Sequence, residues 1–244
     1  MVKLSKRLSH LADMVTYPVL ADVGTDHAYL PIYLLQSGKI RRAYAFDIGD
    51  GPLLAAKEHI LACGLGDYIT VRLSDGVKEL EQKEADAILI AGMGGDVMLH
   101  ILEDGKSVIE SAKELILQPQ SKIELVRNYL YQSNYVIDKE DMVLEDGKYY
   151  TMFHVSMEYS DKKEYSLEEW EMIYRYGEVL LQKSGEVFKQ YLLQKIRQYT
   201  SILNRLENQK QKDTAEKRKE EIKKEIVYAR RTLEWNERIK KEMQ

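Results

Sequence analysis

Residues 19–31, Val-Leu-Ala-Asp-Val-Gly-Thr-Asp-His-Ala-Tyr-Leu-Pro, constrain the fold more than any other stretch. The apolar run Val19 to Ala21 reaches Asp22 and then Gly24; Ala28, Leu30, Ile32 and Leu35 follow at spacings that suit a helix. This is the pattern of a parallel strand, a tight turn and a crossover helix. In open α/β sheets ligands bind beyond the carboxyl ends of the strands, where this turn falls. Gly24 lets the backbone turn sharply and approach a ligand that a Cβ would exclude. The turn is not the dinucleotide fingerprint, because Asp26 and Tyr29 stand where further glycines would admit a pyrophosphate. A carboxylate there repels phosphate and favours a cationic or amino-bearing ligand. The plainer reading is a strand-to-helix loop whose Asp caps the helix.

The same alternation continues along the chain. Leu4, Leu8, Leu11 and Val15 predict a short helix over residues 4–14. A second strand runs from Arg42 to Ile48, and a helix from about Leu53 to Cys63 follows the breakers Gly49, Gly51 and Pro52. Asp47 lies 23 residues after Gly24, close to the spacing at which an acid at the second strand's end accepts from ribose hydroxyls. A third strand, Ile69 to Leu73, ends at Ser74-Asp75-Gly76. Asp75 could accept from an adenine amino group, or simply cap a short helix. Ala87 to Ala91 reads as a central strand buried on both faces and ends in Gly92-Met93-Gly94-Gly95-Asp96. Three glycines in four positions imply close backbone approach to something, since turn glycines usually come singly.

A fifth strand, Glu114 to Leu117, leads to Ser121, which with Glu124 reads as a capping box for a helix through Leu130. Two extended segments, about Tyr135–Leu144 and Tyr149–Glu158, flank the hairpin turn Glu145-Asp146-Gly147. Composition changes after residue 160: all four prolines and 12 of the 14 glycines precede it. Leu167, Trp170, Ile173 and Tyr174 predict a helix that anchors the tail to the core. Seams at Phe188, Leu192, Tyr199, Ile202 and Leu206, and at Ile222, Ile226, Ala229 and Leu233, predict two long antiparallel helices packed as a coiled-coil hairpin. The polar stretch Glu207 to Asp213 separates them, and Asp213 with Glu216 could form another capping box. The expected domains are therefore 1–160, a parallel sheet with a terminal antiparallel hairpin, and 161–244, a helical arm.

Charge limits the partners. The net charge of −4 gives no global nucleic-acid footprint, but residues 161–244 carry 20 Lys and Arg against 16 Asp and Glu. No 18-residue apolar run exists, so no membrane span is expected. One cysteine, Cys63, excludes an intrachain disulfide and a thiolate metal cluster, and it reads as helix packing rather than a nucleophile. His10, His59, His100 and His154 show no paired ligand spacing, so no metal is expected. The opening residues lack a signal peptide's apolar core, and a cytoplasmic location is expected.

Asp22, Asp26, Asp47 and Asp75 thus fall at or near the ends of the first three strands, and the glycine cluster closes the fourth. Such a cleft suits a ligand with an amino group, a ribose and an adenine but no phosphate. S-adenosyl-L-methionine fits, with Asp22 or Asp26 addressing the methionyl amine, Asp47 the ribose and Asp75 the adenine. Gly24, Gly76, Gly92 and Met93 complete the cofactor set, and Gly94 and Gly95 would leave room for a flat base. His27 and Tyr29 are the polar residues placed to orient that base or handle its proton.

The strings Ala-Asp-Val-Gly-Thr-Asp-His-Ala-Tyr-Leu-Pro, Leu-Ser-Asp-Gly, Ile-Ala-Gly-Met-Gly-Gly, Leu-Gln-Pro-Gln and Glu-Asp-Gly-Lys-Tyr-Tyr closely resemble the bacterial TrmK family, over essentially the whole chain. The resemblance implies a class I Rossmann-like S-adenosylmethionine-dependent methyltransferase sheet with a C-terminal coiled-coil hairpin. It also implies methylation of N1 of adenine 22 in tRNA. Gly49-Asp50 after Asp47 departs from the expected pattern and bears on local ribose contacts only. The Asp/Asn-Pro-Pro-aromatic motif of exocyclic-amine methyltransferases is absent, which agrees with attack by a ring nitrogen. A monomer or weak dimer is expected. The competing readings are a small-molecule methyltransferase with a helical lid and a non-catalytic helical adaptor.

Overall fold

The computed structural model describes residues 1–157, 164–183, 185–207 and 213–242. The chain divides into two compact units, Met1–Lys162 and Lys163–Gln244.

Unit 1 opens with α1 (Lys6–Met14), whose N-cap Ser5 accepts from the Leu8 N–H. There follow β1 (Val19–Val23), α2 (Tyr29–Gln36), β2 (Arg42–Asp47), α3 (Asp50–Ala62), β3 (Ile69–Leu73) and β4 (Ala87–Met93). The unit is completed by α4 (Gly95–Asp104), α5 (Lys106–Ile109), β5 (Glu114–Pro119), α6 (Ile123–Gln132), β6 (Val136–Glu145) and β7 (Lys148–Ser156). The seven strands pair in the order β3-β2-β1-β4-β5-β7-β6. The first five are parallel, and β7 and β6 add the antiparallel hairpin, as the sequence predicts. Asp146 and Gly147 take φ of 49° and 75°, the left-handed pair that a tight two-residue hairpin needs.

Both faces of the sheet are covered. Leu20, Ala43, Ala45, Ala87, Leu89 and Ile116 pack with Leu11 of α1, Leu30, Ile32 and Leu34 of α2, and Ala56 and Ile60 of α3. The alternate residues Ala21, Val23, Ile88, Ile90, Leu115 and Leu117 are equally buried. Hence the strands read as near-continuous apolar runs. Truncating Ile88 or Ile90 to Ala should cost about 2–5 kcal/mol. The numerical order reverses between β1 and β4, which makes the crevice above those two strands the switch point of the sheet.

Gly51 and Pro52 lie inside the first turn of α3, where a proline's missing N–H leaves no bond unmade, rather than ahead of it. Three further local expectations fail for identifiable reasons. Neither Asp22 nor Asp26 caps α2, whose N-cap is Ala28 in the left-handed region with no side-chain bond. Ser121 forms no capping box: α6 is capped at Lys122, and the Ser121 hydroxyl instead accepts from the Gly95 N–H at 3.3 Å. Asp75 heads a run of turns, not a helix, and its carboxylate goes to Lys78.

Unit 2 holds α7 (Leu167–Tyr176), α8 (Glu178–Lys183), α9 (Glu186–Glu207) and α10 (Asp213–Glu242). A capping box of Ser166 and Glu169 starts α7; Leu167 is 87% exposed, so Met172, Ile173 and Tyr176 supply the buried face instead. Lys189 near the start of α9 pairs with Glu237 near the end of α10, so the two long helices run antiparallel. Phe188 and Leu192 are buried on α9, and Ile222, Ile226 and Ala229 on α10. Ile202 lies on the exposed side, and the buried stripe of α10 continues through Thr232 and Asn236 rather than Leu233. Residues 208–212 lie outside the described residues, as do the side chains of residues 213–215 and with them the expected capping box of Asp213 and Glu216. Among the described residues no helix is long and apolar enough to cross a membrane.

Candidate active site

The order β3-β2-β1-β4 sets Asp75, Asp47, Asp22 and Gly92 along one edge of the sheet. At roughly 4.8 Å per strand this edge spans about 14 Å. Gly24 and Thr25 both donate backbone N–H bonds to the Phe46 carbonyl at 2.8 Å, which folds the β1 turn over the end of β2. Gly24 sits at φ +77°, where an L side chain is strained. A Cβ there would lie 2.3 Å from Met93 Cε, so a flexible thioether end from β4 fills the space in front of the turn. Gly24 and Met93 therefore face each other across the β1–β4 switch point.

Asp22 is 6% exposed at the end of the central strand. Burial raises its carboxyl to about 6, and the nearby charges of Asp47 and Asp26 add to the rise. The Thr25 hydroxyl offsets part of this, yet among the described residues it closes no hydrogen bond of good geometry and is itself buried without a partner. A buried acid short of donors beside an orphaned hydroxyl suits a cationic or amino-bearing ligand.

Asp47 accepts the Gly49 N–H at 2.8 Å through Oδ1, and no bond to its Oδ2 is formed among the described residues. Asp75 is different, because Lys78 bonds its carboxylate and holds it below the usual range. Any role for Asp75 toward an amino group must share that carboxylate with Lys78. Gly76, at φ +64°, packs on α4; a Cβ would lie 2.9 Å from Ile101 Cγ1.

The loop after Gly24 carries the second cluster. Asp26 is highly exposed, 3.4 Å from His27 Nε2. His27 and Ala28 take φ of 55° and 54°, two consecutive non-glycine residues in the left-handed region. Such residues cost on the order of 1–2 kcal/mol each and cluster where a loop must present a side chain. Tyr29 opens α2, 5.6 Å from the His27 ring. His59 of α3 joins them, its ring edge-on to Tyr29 at 4.8 Å and its Nδ1 donating to the His27 carbonyl at 3.0 Å. The sequence gives no sign of this contact, since 32 residues separate the two histidines and no motif links them.

The β4 glycines are not equivalent. Gly92 is exposed at φ +80°, where only Gln120 Nε2, at 3.7 Å, would meet a Cβ. Gly94 has φ −65° and ψ 150°, so its backbone accepts any residue, with the Ser121 hydroxyl 3.3 Å from a Cβ. Gly95 is closed by the protein itself: a Cβ would lie 2.5 Å from the Ser121 carbonyl oxygen and 2.9 Å from Lys122 Cβ. Packing against the start of α6 explains Gly95, whereas a Cβ on Gly92 or Gly94 would meet only a single side-chain atom among the described residues.

The opposite edge of the sheet also holds buried charge. Glu114, at the start of β5, accepts the N–H groups of Thr16 and Tyr17 (2.8 and 3.2 Å), the Thr16 hydroxyl and His154 Nε2 at 2.9 Å. His154 Nδ1 bonds Asp138, which sits at the β6 bulge. Burial alone would raise Glu114, but these donors outweigh it and hold the carboxyl below its usual value. Burial likewise opposes the charge on His154, and the two carboxylates overcome it and raise the imidazole. No group of three or more His, Cys, Asp or Glu suited to a metal ion occurs among the described residues.

A parallel sheet with a switch point between β1 and β4, an acid ending β2 and a glycine-lined β4 loop defines a Rossmann-like methyltransferase fold. The chain belongs to the TrmK family: the model of that family, tRNA (adenine(22)-N(1))-methyltransferase, matches residues 20–230. The tRNA (adenine(22)-N(1))-methyltransferase of Bacillus subtilis (strain 168) is 45% identical over 150 residues, which are 61% of this chain and 63% of that protein. The match thus spans just under two thirds of that relative's length. The crystal structure of the B. subtilis m1A22 tRNA methyltransferase TrmK superposes with a TM-score of 0.84 at 33% identity, covering 96% of this chain and 100% of that one. TrmK of M. capricolum, solved with S-adenosyl-homocysteine, gives 0.81 at 29% identity, covering 95% and 98%.

Proposed function

We propose that this chain transfers a methyl group from S-adenosylmethionine to N1 of adenine 22 in tRNA, in the cytoplasm. The observation that carries the reading is the edge of three acids, with Asp26 on the adjoining loop, beside the β4 glycines at the switch point, in a chain of the TrmK family. Asp22 and Asp26 would hold the cofactor's amino group and Asp47 its ribose, with Gly24, Met93 and Gly92 shaping the crevice. Asp75 and Gly76 would border the adenine. When bound, the cofactor supplies an electrophilic methyl on a sulfonium.

Adenine N1 attacks with an in-plane lone pair, so no proton has to leave first. The work of the protein is then to expose the base, hold it in line and exclude water. Gly92 and Gly94 would leave room for a flat ring, and His27 and Tyr29 would orient it, with the His27 imidazole taking up the proton released from N6.

The helical unit supplies the second arm. Lys217, Lys224, Arg231 and Arg238 recur every seven residues on α10, all exposed, with Arg231 ion-paired to Glu168 of α7. Arg231 stands nine residues after buried Ile222, half a turn of helix away, so the basic row lies opposite the buried seam. Such a row tracks phosphates and carries no base information. The deciding experiment incubates the protein with labelled cofactor and unmodified tRNA and maps the product. One methyl at N1 of adenine 22 is expected. No incorporation into tRNA, or incorporation at another nucleotide, overturns the reading.

A further inference from the structure

The His27 carbonyl joins two left-handed residues, and it stands outside α2, whose first turn closes with the Ile32 N–H on the Ala28 carbonyl. It is His59 of α3 that engages it, with Nδ1 at 3.0 Å. The same ring lies edge-on to Tyr29 at 4.8 Å and 88°, and edge-on to the His27 ring at 6.5 Å and 87°. One half-buried side chain thus touches the backbone of one proposed base-handling residue and the rings of both. Its helix begins at Asp50, three residues after Asp47, so it also links this loop to the end of β2. A left-handed pair without glycine persists only where its surroundings fix it, and the contact from α3 is a side chain with a donor at the right atom.

We propose that His59 is a positioning residue: it locks the His27–Ala28 turn so that His27 and Tyr29 are presented together to the target base. This rests on the function proposed above. The bond requires a hydrogen on Nδ1, and an asparagine amide can place a donor near the same point.

The test compares the full chain with His59→Ala and His59→Asn. It measures cofactor affinity, thermal midpoint, methyl transfer to unmodified tRNA and deuterium exchange over residues 26–29. For His59→Ala, kcat should fall about 10-fold and exchange should quicken. KM for tRNA, cofactor affinity and thermal midpoint should stay within twofold or a few degrees. His59→Asn should recover kcat to within about threefold. Wild-type kcat and exchange in His59→Ala overturn the inference, as does an Asn variant as slow as Ala. Should the unaltered protein fail to methylate tRNA, the functional reading fails. The exchange arm then decides whether His59 holds the turn.

Discussion

The two edges of the sheet bury the same residue types to opposite ends. At the amino-terminal edge Glu114 is saturated by two backbone N–H groups, a hydroxyl and His154, and its carboxyl lies low. At the carboxyl-terminal edge Asp22 is almost as buried, faces Asp47 and Asp26, and is pushed up to about 6. The difference lies in donors: where the chain supplies them a buried acid braces the fold, and where it withholds them the acid is left unsatisfied, as the proposed cofactor site requires. The left-handed pair His27–Ala28 lies at the edge with unmet needs. This consecutive left-handed pair and the unsatisfied acid therefore fall together on the side where the switch point lies, while single left-handed residues such as Lys83 and Asn134 occur elsewhere.

The largest effect should come from breaking the braced edge. Glu114→Ala leaves His154 and two N–H groups without their acceptor and should cost about 3–5 kcal/mol in urea unfolding. Transfer per folded molecule should stay near the unaltered value. A strong loss of transfer in folded protein would mean that the two edges are not separate in role.

Asp22→Asn should act the other way. The folded carboxyl is raised from 3.8 to about 6, so the ligand-free protein loses stability as pH climbs through that interval and stays lower above it. Removing the charge should gain about 1–3 kcal/mol at pH 7.5 and nothing below pH ~4, while cofactor binding weakens. A destabilised variant at pH 7.5 would show that the deprotonated acid is satisfied after all. The braced edge has its own window. The His154 contribution is complete below its ordinary 6.5 and fades as pH rises through the raised folded value. The Glu114 contribution is complete above 4.5 and fades as pH falls through the lowered one.

How much of this was legible depends on distance along the chain. The strands, the Asp47 spacing and the hairpin turn are local patterns and read directly. So do the acids, but nothing in the sequence separates Glu114 from Asp22, because the donors come from Thr16, Tyr17 and His154, far from residue 114 in sequence. Ser121 and Glu124 satisfy the capping pattern in letters, yet tertiary packing claims the hydroxyl for Gly95. The glycine cluster is visible as a cluster, while the division between Gly95 and its neighbours depends on a loop 26 residues away.

That division predicts the smallest of the stability effects. Gly95→Ala drives a Cβ into the Ser121 backbone and should cost about 1–3 kcal/mol. Gly94→Ala asks only a hydroxyl to move and should cost under about 1 kcal/mol, with any loss of transfer appearing at normal stability. Equal destabilisation of the two would return the whole loop to packing.

On the proposed reading, the edge short of donors holds the cofactor. Titration calorimetry with S-adenosylmethionine tests it on Asp47→Ala and, from the braced edge, Asp138→Asn. Affinity should weaken by roughly 1.5–3 kcal/mol for Asp47→Ala, as for a lost charge-assisted hydrogen bond, and stay unchanged for Asp138→Asn. Unaltered affinity in Asp47→Ala, or a loss confined to Asp138→Asn, would contradict it.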